Sequence, residues 1–471
     1  MSNITRAMLF AITTSLATGA LAQSTSVQTK QYEDGGYYEG TFKDGLQHGM
    51  GTYRLPNGYE YSGEWIDGEI RGQGTAKFPN GSVYEGMFAK GKPEGMGKIT
   101  YADGSTYEGE WADGRIEGAG IAMYANGLTY EGQFKAAKHD GTGILKSNNG
   151  YVYDGEWVNG AKEGRGTVTY PDGAVYKGML AAGDRNGAGT LTLPDGLVFE
   201  GTWTNGKING DGILRQPNGD IYEGALVDGR RDGDGKVTYA NGDTYVGAFK
   251  DDQRHGQGTF TGSDGYVYVG QWVEGKIEGQ GKVSYPDASI YEGTFKNDLA
   301  DGQGRILYPD GAVYEGEWKA GIIEGKGKAT YANGLVYEGD FKDAKNHGMG
   351  VMTFGDGYRY EGQWIEGQRQ GNGTATYADG TIYNGEFQAG QRSGTGEITM
   401  GDGFKYVGTW LEGEIHGQGV ATYANGDVYE GSFVAGRREG QGTMTYASGT
   451  VASGLWKEGQ LEEGTATVTQ P

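Results

Sequence analysis

The chain contains no cysteine, so disulfides, thiol catalysis and thiolate metal sites are excluded. Basic residues are in the minority: 40 Lys and Arg face 62 Asp and Glu, giving a net charge of −22. Nucleic acid and anionic lipid are both held largely by Lys and Arg, so the balance argues against nucleic acid and disfavours an anionic surface. Hydrophobic residues make up only 36% of the sequence. Beyond residue 22 no apolar run approaches the ~20 residues that a membrane-spanning helix needs. Good helix-forming stretches are missing as well, because glycine supplies 94 residues and each interior glycine costs a helix roughly 1 kcal/mol relative to alanine. Short strands joined by tight turns are what remains.

Residues 1–22 differ from everything after them. Arg6 is the only charge, Ala7 to Leu21 is apolar or small, and Ala20-Leu21-Ala22 forms a small-x-small cleavage pattern before Gln23. This segment reads as a bacterial-looking secretory signal peptide, which makes the mature protein periplasmic or secreted. Residues 23–37 are polar and read as a flexible leader. Residues 38–464 form a repeat array, and 465–471 are a short tail.

The array has a period of 23 residues. The tyrosine position at 38 returns at 61, 84, 107 and onward to 429, with a degenerate last copy from Ala452. Two residues past each anchor stands a glycine, from Gly40 to Gly454, in all 19 copies. A fixed period of this length overrides any domain count based on length.

In one copy, Tyr107-Glu108-Gly109-Glu110-Trp111 alternates, so Tyr107, Gly109 and Trp111 share one face of a strand. Ala112-Asp113-Gly114 begins a turn, and Gly118-Ala119-Gly120 opens a second strand running to Tyr124. Ala125-Asn126-Gly127 is a second turn signal, since Asn-Gly tolerates positive φ. One copy is therefore one β-hairpin, and its neighbours extend the same antiparallel sheet. Rings are expected to lie flat over the glycine rows represented by Gly118 and Gly120. That packing lets a single layer bury its aromatics, with stability adding along the array.

Copies such as YEGEWADGRIEGAG (107–120) and YEGEWKAGIIEGKG (314–327) resemble MORN repeats, the membrane occupation and recognition nexus motif. The resemblance covers residues 38–464. It implies an all-β fold, an elongated single-layer twisted antiparallel sheet of about 18 stacked hairpins with a groove. At ~4.8 Å per strand such an array spans on the order of 170 Å. Departures are local: Ala137, Asp252, Asp298 and Ala344 replace the first-turn glycine, and Leu180 and Leu226 replace the expected ring. These places are expected to be looser.

A second period lies inside the first. The ring at the fifth position alternates between Phe and Trp, and Trp65, Trp111, Trp157, Trp203, Trp272, Trp318, Trp364, Trp410 and Trp456 all occupy it. Tryptophans should thus line the sheet every second hairpin, roughly 19 Å apart. They form a candidate binding ladder. A longer cassette returns at Phe42–Trp65, Phe134–Trp157, Phe249–Trp272 and Phe341–Trp364, which points to duplication of four-repeat blocks.

Residues that could do chemistry are scattered. His48, His139, His255 and His347 fall one per cassette, ~40 Å or more apart, and with His416 read as solvent-facing turn residues. The glutamate rows that follow the anchor (Glu108, Glu131, Glu315) and precede the Gly-x-Gly (Glu94, Glu117, Glu163, Glu278, Glu324) read as a solvated polar face. Neighbouring acids offer only weak Ca²⁺ binding. The Gly-x-Gly lacks the strand-to-helix context of a phosphate cradle. No catalytic residues, metal site or cofactor are assigned.

The expected function is a non-catalytic scaffold of the bacterial envelope that binds protein partners or itself. The alternative is direct binding of an envelope surface, phospholipid or peptidoglycan glycan, through the aromatic groove. Open sheet edges would also invite strand pairing.

Overall fold

The computed structural model describes residues 26–471. The signal-peptide segment lies outside them. The chain forms two compact units, one running to Gly196 and including Thr202–Lys207, the other comprising Leu197–Gly201 and Ile208 onward. Each is an open antiparallel sheet of consecutive hairpins whose successive strands pair with one another. Among the described residues the only helical turn is a three-residue 3₁₀ segment, Glu463–Thr465.

One repeat shows why the sequence folds this way. Strands Thr106–Ala112 and Arg115–Met123 pair directly across a two-residue turn. Asp113 (φ 50°) and Gly114 (φ 81°) are both left-handed, as the tight turn matching a right-twisted hairpin requires. The second strand therefore starts at Arg115, three residues earlier than the glycine pattern suggests. At the second turn only Gly127 takes positive φ (84°); Asn126 instead accepts a bond from the Leu128 N–H through its side chain.

The glycine rows divide their work. Tyr107 lies over Gly109 and Gly120, where an added Cβ would come within 2.5 Å of its hydroxyl and 2.4 Å of its ring respectively. Gly118 is not under a ring. It sits at a bulge with φ 67°, and a Cβ there would strike the Glu110 side chain. The expected ring-over-glycine packing thus holds for Gly120 and fails for Gly118, whose glycine serves backbone conformation.

Anchor tyrosines are 0–2% exposed wherever they occur. Each hydroxyl is satisfied locally by donating to the carbonyl three residues on, as Tyr107 does to Glu110 (3.0 Å) and Tyr245 to Ala248 (3.0 Å). Rings then meet edge to face in a continuous series. Tyr84 touches Trp111 (5.0 Å), Trp111 touches Tyr107 (5.6 Å), and Tyr107 touches Phe134 (5.0 Å). In the second unit the same series runs from Tyr222–Phe249 to Tyr429–Trp456.

The series stops around three departures. Leu180 and Leu226 are buried in place of rings, 4% and 1% exposed, so these positions are filled rather than loose. Phe199 occupies an anchor position without a hydroxyl and is only half-buried. The glycines it would cover, Gly201 and Gly212, face Ile208 and Leu226 methyls instead. The sites lacking a turn glycine also keep their turns: Ala137 (φ 61°) and Ala344 (φ 60°) still donate to Ile116 and Ile323.

Both ends of the array differ from the sequence reading. Within the segment read as a flexible leader, Gln28–Gln31 pairs with Tyr37–Lys43, and Tyr32–Gly36 closes the same turn used in every repeat. The tail also joins the sheet, Thr467–Thr469 pairing with Val451–Lys457.

The aromatic groove as candidate functional site

The nine tryptophans form the floor of the aromatic face. Trp65, Trp111, Trp157, Trp203, Trp272, Trp364, Trp410 and Trp456 are 3–7% exposed, and Trp318 is half-buried. Every indole N–H donates to the glycine carbonyl fourteen residues earlier, as Trp157 does to Gly143 (3.1 Å) and Trp272 to Gly258 (3.3 Å). A ladder of this kind presents little ring surface to a ligand. Its chemistry is spent on packing.

The accessible rings are those before the second turn. Tyr101, Tyr124, Tyr285, Tyr331 and Tyr446 are 36–39% exposed. Clefts open between successive members of this row. One of about 710 Å³ is lined by Phe78, Tyr101, Tyr84, Pro93, Trp111 and Ile116. Two of about 520 Å³ lie between Tyr308 and Tyr331 and between Tyr423 and Tyr446. The 23-residue spacing of this row is plain in the sequence, but which rings stay exposed depends on turn geometry that spacing alone does not specify.

A second row crosses the groove beside the rings. Arg185 lies 4.2 Å from the Trp203 ring, Arg254 4.1 Å from Trp272, and Arg438 4.4 Å from Trp456. Each also donates to a glycine carbonyl in the next hairpin's turn, Gly206, Gly275 and Gly459 respectively. These arginines staple one repeat to the next.

His139 belongs to that arginine row, contrary to its reading as a solvent-facing turn residue. It stacks on Tyr130 (3.6 Å, 14°), meets Trp157 edge-on, and its Nε2 lies 2.8 Å from the Tyr124 hydroxyl. Burial pulls its pKa down to about 4, so it is neutral at physiological pH. His48 occupies the next position of its repeat, with Nδ1 3.3 Å from the Asp67 carboxylate.

The acids before the Gly-x-Gly, exposed at Glu94 and half-buried at Glu117 and Glu278, are not idle. Glu94 accepts the Asp113 N–H (2.8 Å), Glu117 the Ala136 N–H (3.0 Å), and Glu278 the Asn297 N–H (2.9 Å). Each carboxylate thus ties down the first turn of the following hairpin. Surface ion pairs such as Lys92–Asp113 add little beside this. Among the described residues no three metal-ligating groups converge.

Fold and groove together define a single-layer β-hairpin repeat protein with an aromatic face. The MORN repeat profile matches eighteen segments from 38–58 to 429–451. The chain belongs to the MORN repeat family, whose repeats are generally non-enzymatic binding modules. No curated protein matches it in sequence. Solved structures with distant likeness include the TCP domain of Drosophila melanogaster SAS-4 in complex with a proline-rich motif of Ana2 (20% identity, TM-score 0.23, covering 34% of this chain and 89% of that one). The TCP10 domain of Danio rerio CPAP with a STIL peptide is similar at 17% identity and TM-score 0.17, covering 61% and 97%. A streptogramin B lyase aligns at 13% identity and TM-score 0.11, covering 63% and 92%. At these scores the likenesses carry no argument about function.

Proposed function

We propose that the protein is a non-catalytic scaffold whose aromatic groove holds a protein partner or a second copy of itself. The observation that supports this most directly is the division of the rings. The tryptophan floor is hydrogen-bonded and buried except at half-buried Trp318, whereas turn tyrosines such as Tyr101 and Tyr331 remain more than a third exposed over clefts of a few hundred Å³. An exposed apolar strip repeated at fixed intervals suits association. The cleavage pattern after Ala22 supports a periplasmic or secreted location, which mass analysis of the mature chain tests by an N-terminus at Gln23.

Photo-crosslinkers placed in cells at Tyr101 and Tyr331 should capture a defined adduct that the same group at Met96, on the opposite face, does not. Capture at both faces alike would remove the groove from the proposal. Direct binding of phospholipid or peptidoglycan stands as the second reading, with the half-exposed turn tyrosines as its carriers. Co-sedimentation with vesicles and with purified peptidoglycan tests it, and the expected sensitivity is to Tyr101→Ala and Tyr331→Ala.

A further inference from the structure

Charge is segregated across the sheet. The groove row that includes His139 holds six arginines, one lysine and one histidine among its nineteen positions, and no acid, in a chain with 62 acidic residues. The next position of each repeat is rich in acids, and those acids bond to turns. The His139 row is therefore a cationic line within the groove, beside clefts that turn aspartates such as Asp310 and Asp427 also line.

The concentration is greatest at adjacent repeats in the second unit. Arg369 lies 5.4 Å from the Phe387 ring and donates to the Tyr358 hydroxyl and to the Gly390 carbonyl (2.6 Å). Arg392 lies 4.5 Å from Trp410 and donates to the Gly413 carbonyl (2.8 Å). Both guanidiniums are half-buried, and both act on the Tyr358 hydroxyl, drawing its pKa down against the dominant upward push of burial. Tyr358 and Tyr377 flank them with ring centroids 5.0 Å apart. Neither arginine is ion-paired among the described residues. Each guanidinium has five N–H donors, so several remain for a ligand.

Resting on the scaffold reading, we propose that the groove at Tyr358, Arg369, Tyr377 and Arg392 binds an extended acidic segment of a partner polypeptide, with one carboxylate per repeat. Successive repeats advance by two strands, roughly 9.6 Å. Three residues of a polyproline II segment cover about 9.3 Å and complete one turn, so every third side chain points the same way. A carboxylate at every third residue thus meets Arg369 and then Arg392 while the intervening residues lie on Tyr358 and Tyr377. Guanidinium forks recognise carboxylates in pairs of hydrogen bonds. A peptide suits the site better than an anionic bilayer, because Arg369 and Arg392 are half-buried among rings, where a narrow chain reaches them and a flat charged surface does not.

The test uses the full chain and a labelled peptide of repeated Glu-Ala-Pro. It should bind at least about tenfold more tightly than its Gln-Ala-Pro counterpart and than a peptide of equal composition with its glutamates contiguous. The Arg369→Gln/Arg392→Gln variant should lose about tenfold, and Arg369→Lys/Arg392→Lys, which keeps the charge, should lose less. Equal binding of the Glu and Gln peptides overturns the proposal without depending on any variant's folding. So does binding of anionic phosphatidylglycerol vesicles, sensitive to the same double variant, in the absence of peptide binding. If the peptides fail while crosslinking at Tyr331 still captures a partner, this partner chemistry is wrong and the scaffold reading stands.

Discussion

Gly120 and Gly118 look alike in the repeat but fail differently when substituted. At Gly120 a Cβ would lie 2.4 Å from Tyr107, which is itself 1% exposed and cannot move aside. Gly120→Ala is expected to cost about 1–3 kcal/mol by overpacking, read in urea unfolding of the full chain. Substituting Gly118 would instead strain a positive φ and press on the Glu110 side chain, whose exposed end can shift. His139 is the other residue whose environment decides its behaviour. Its folded pKa, about 4, lies below the ordinary value. The stability it contributes is therefore present above about pH 6.5 and lost as pH falls through 4. The facing groups, Tyr124, Tyr130 and the neighbouring Asp140, leave burial as the dominant cause. His139→Phe should flatten the decline of thermal stability between pH 7 and 4, and an unchanged slope would show that other groups set it.

At the scale of the hairpin, the two turns are held by different means. The first turn needs left-handed residues at both corners, and Ala344 meets that need at φ 60° against its preference. Ala344→Gly should stabilise its repeat by up to about 1 kcal/mol, measured as slower amide exchange in Lys345–Thr353. The carboxylate of Glu117 anchors the next first turn through the Ala136 N–H. Glu117→Ala should cost about 1 kcal/mol while Glu117→Gln, which keeps an acceptor, costs less. Equal losses in the two would mean that charge, rather than the bond, is what matters. Hairpin order, strand faces and buried anchors were legible in the sequence because a period of two inside a period of 23 fixes which residues share a face. The work of Glu117, Arg185 and His139 was not. Each acts on a neighbour in the next repeat, and such a bond depends on bulge and turn geometry that spacing alone does not specify. For the same reason the tryptophans looked like a ladder for ligands: their alternation is plain, but the carbonyl that each indole meets is fourteen residues away.

Across the whole molecule the ring series is what repeats most strictly, and it carries a collective signature. Burial raises the anchor hydroxyls, to about 12 at Tyr84, Tyr130, Tyr245, Tyr360 and Tyr429, against about 10 in an unfolded chain. A folded pKa above the unfolded one means that stability is fully present below pH 10 and is lost as pH rises toward 12. Because repeats are stabilised by their neighbours, many protected hydroxyls release protons together when an array opens. Alkaline titration should therefore show tyrosinate absorbance rising late and steeply, coincident with loss of the β-sheet signal in circular dichroism. The series is interrupted at Leu180, Phe199 and Leu226, where Gly201 and Gly212 are covered by methyl groups rather than a ring. Of these only the Phe199 repeat lacks the protected hydroxyl, since Tyr176 and Tyr222 keep theirs, so hydrogen exchange in Val198–Thr204 should accelerate less steeply with pH than exchange in Val313–Lys319. Smooth ionisation near pH 10 with the sheet intact would mean that the rings are not held over the glycines in solution, and the packing that defines each repeat would have to be sought elsewhere.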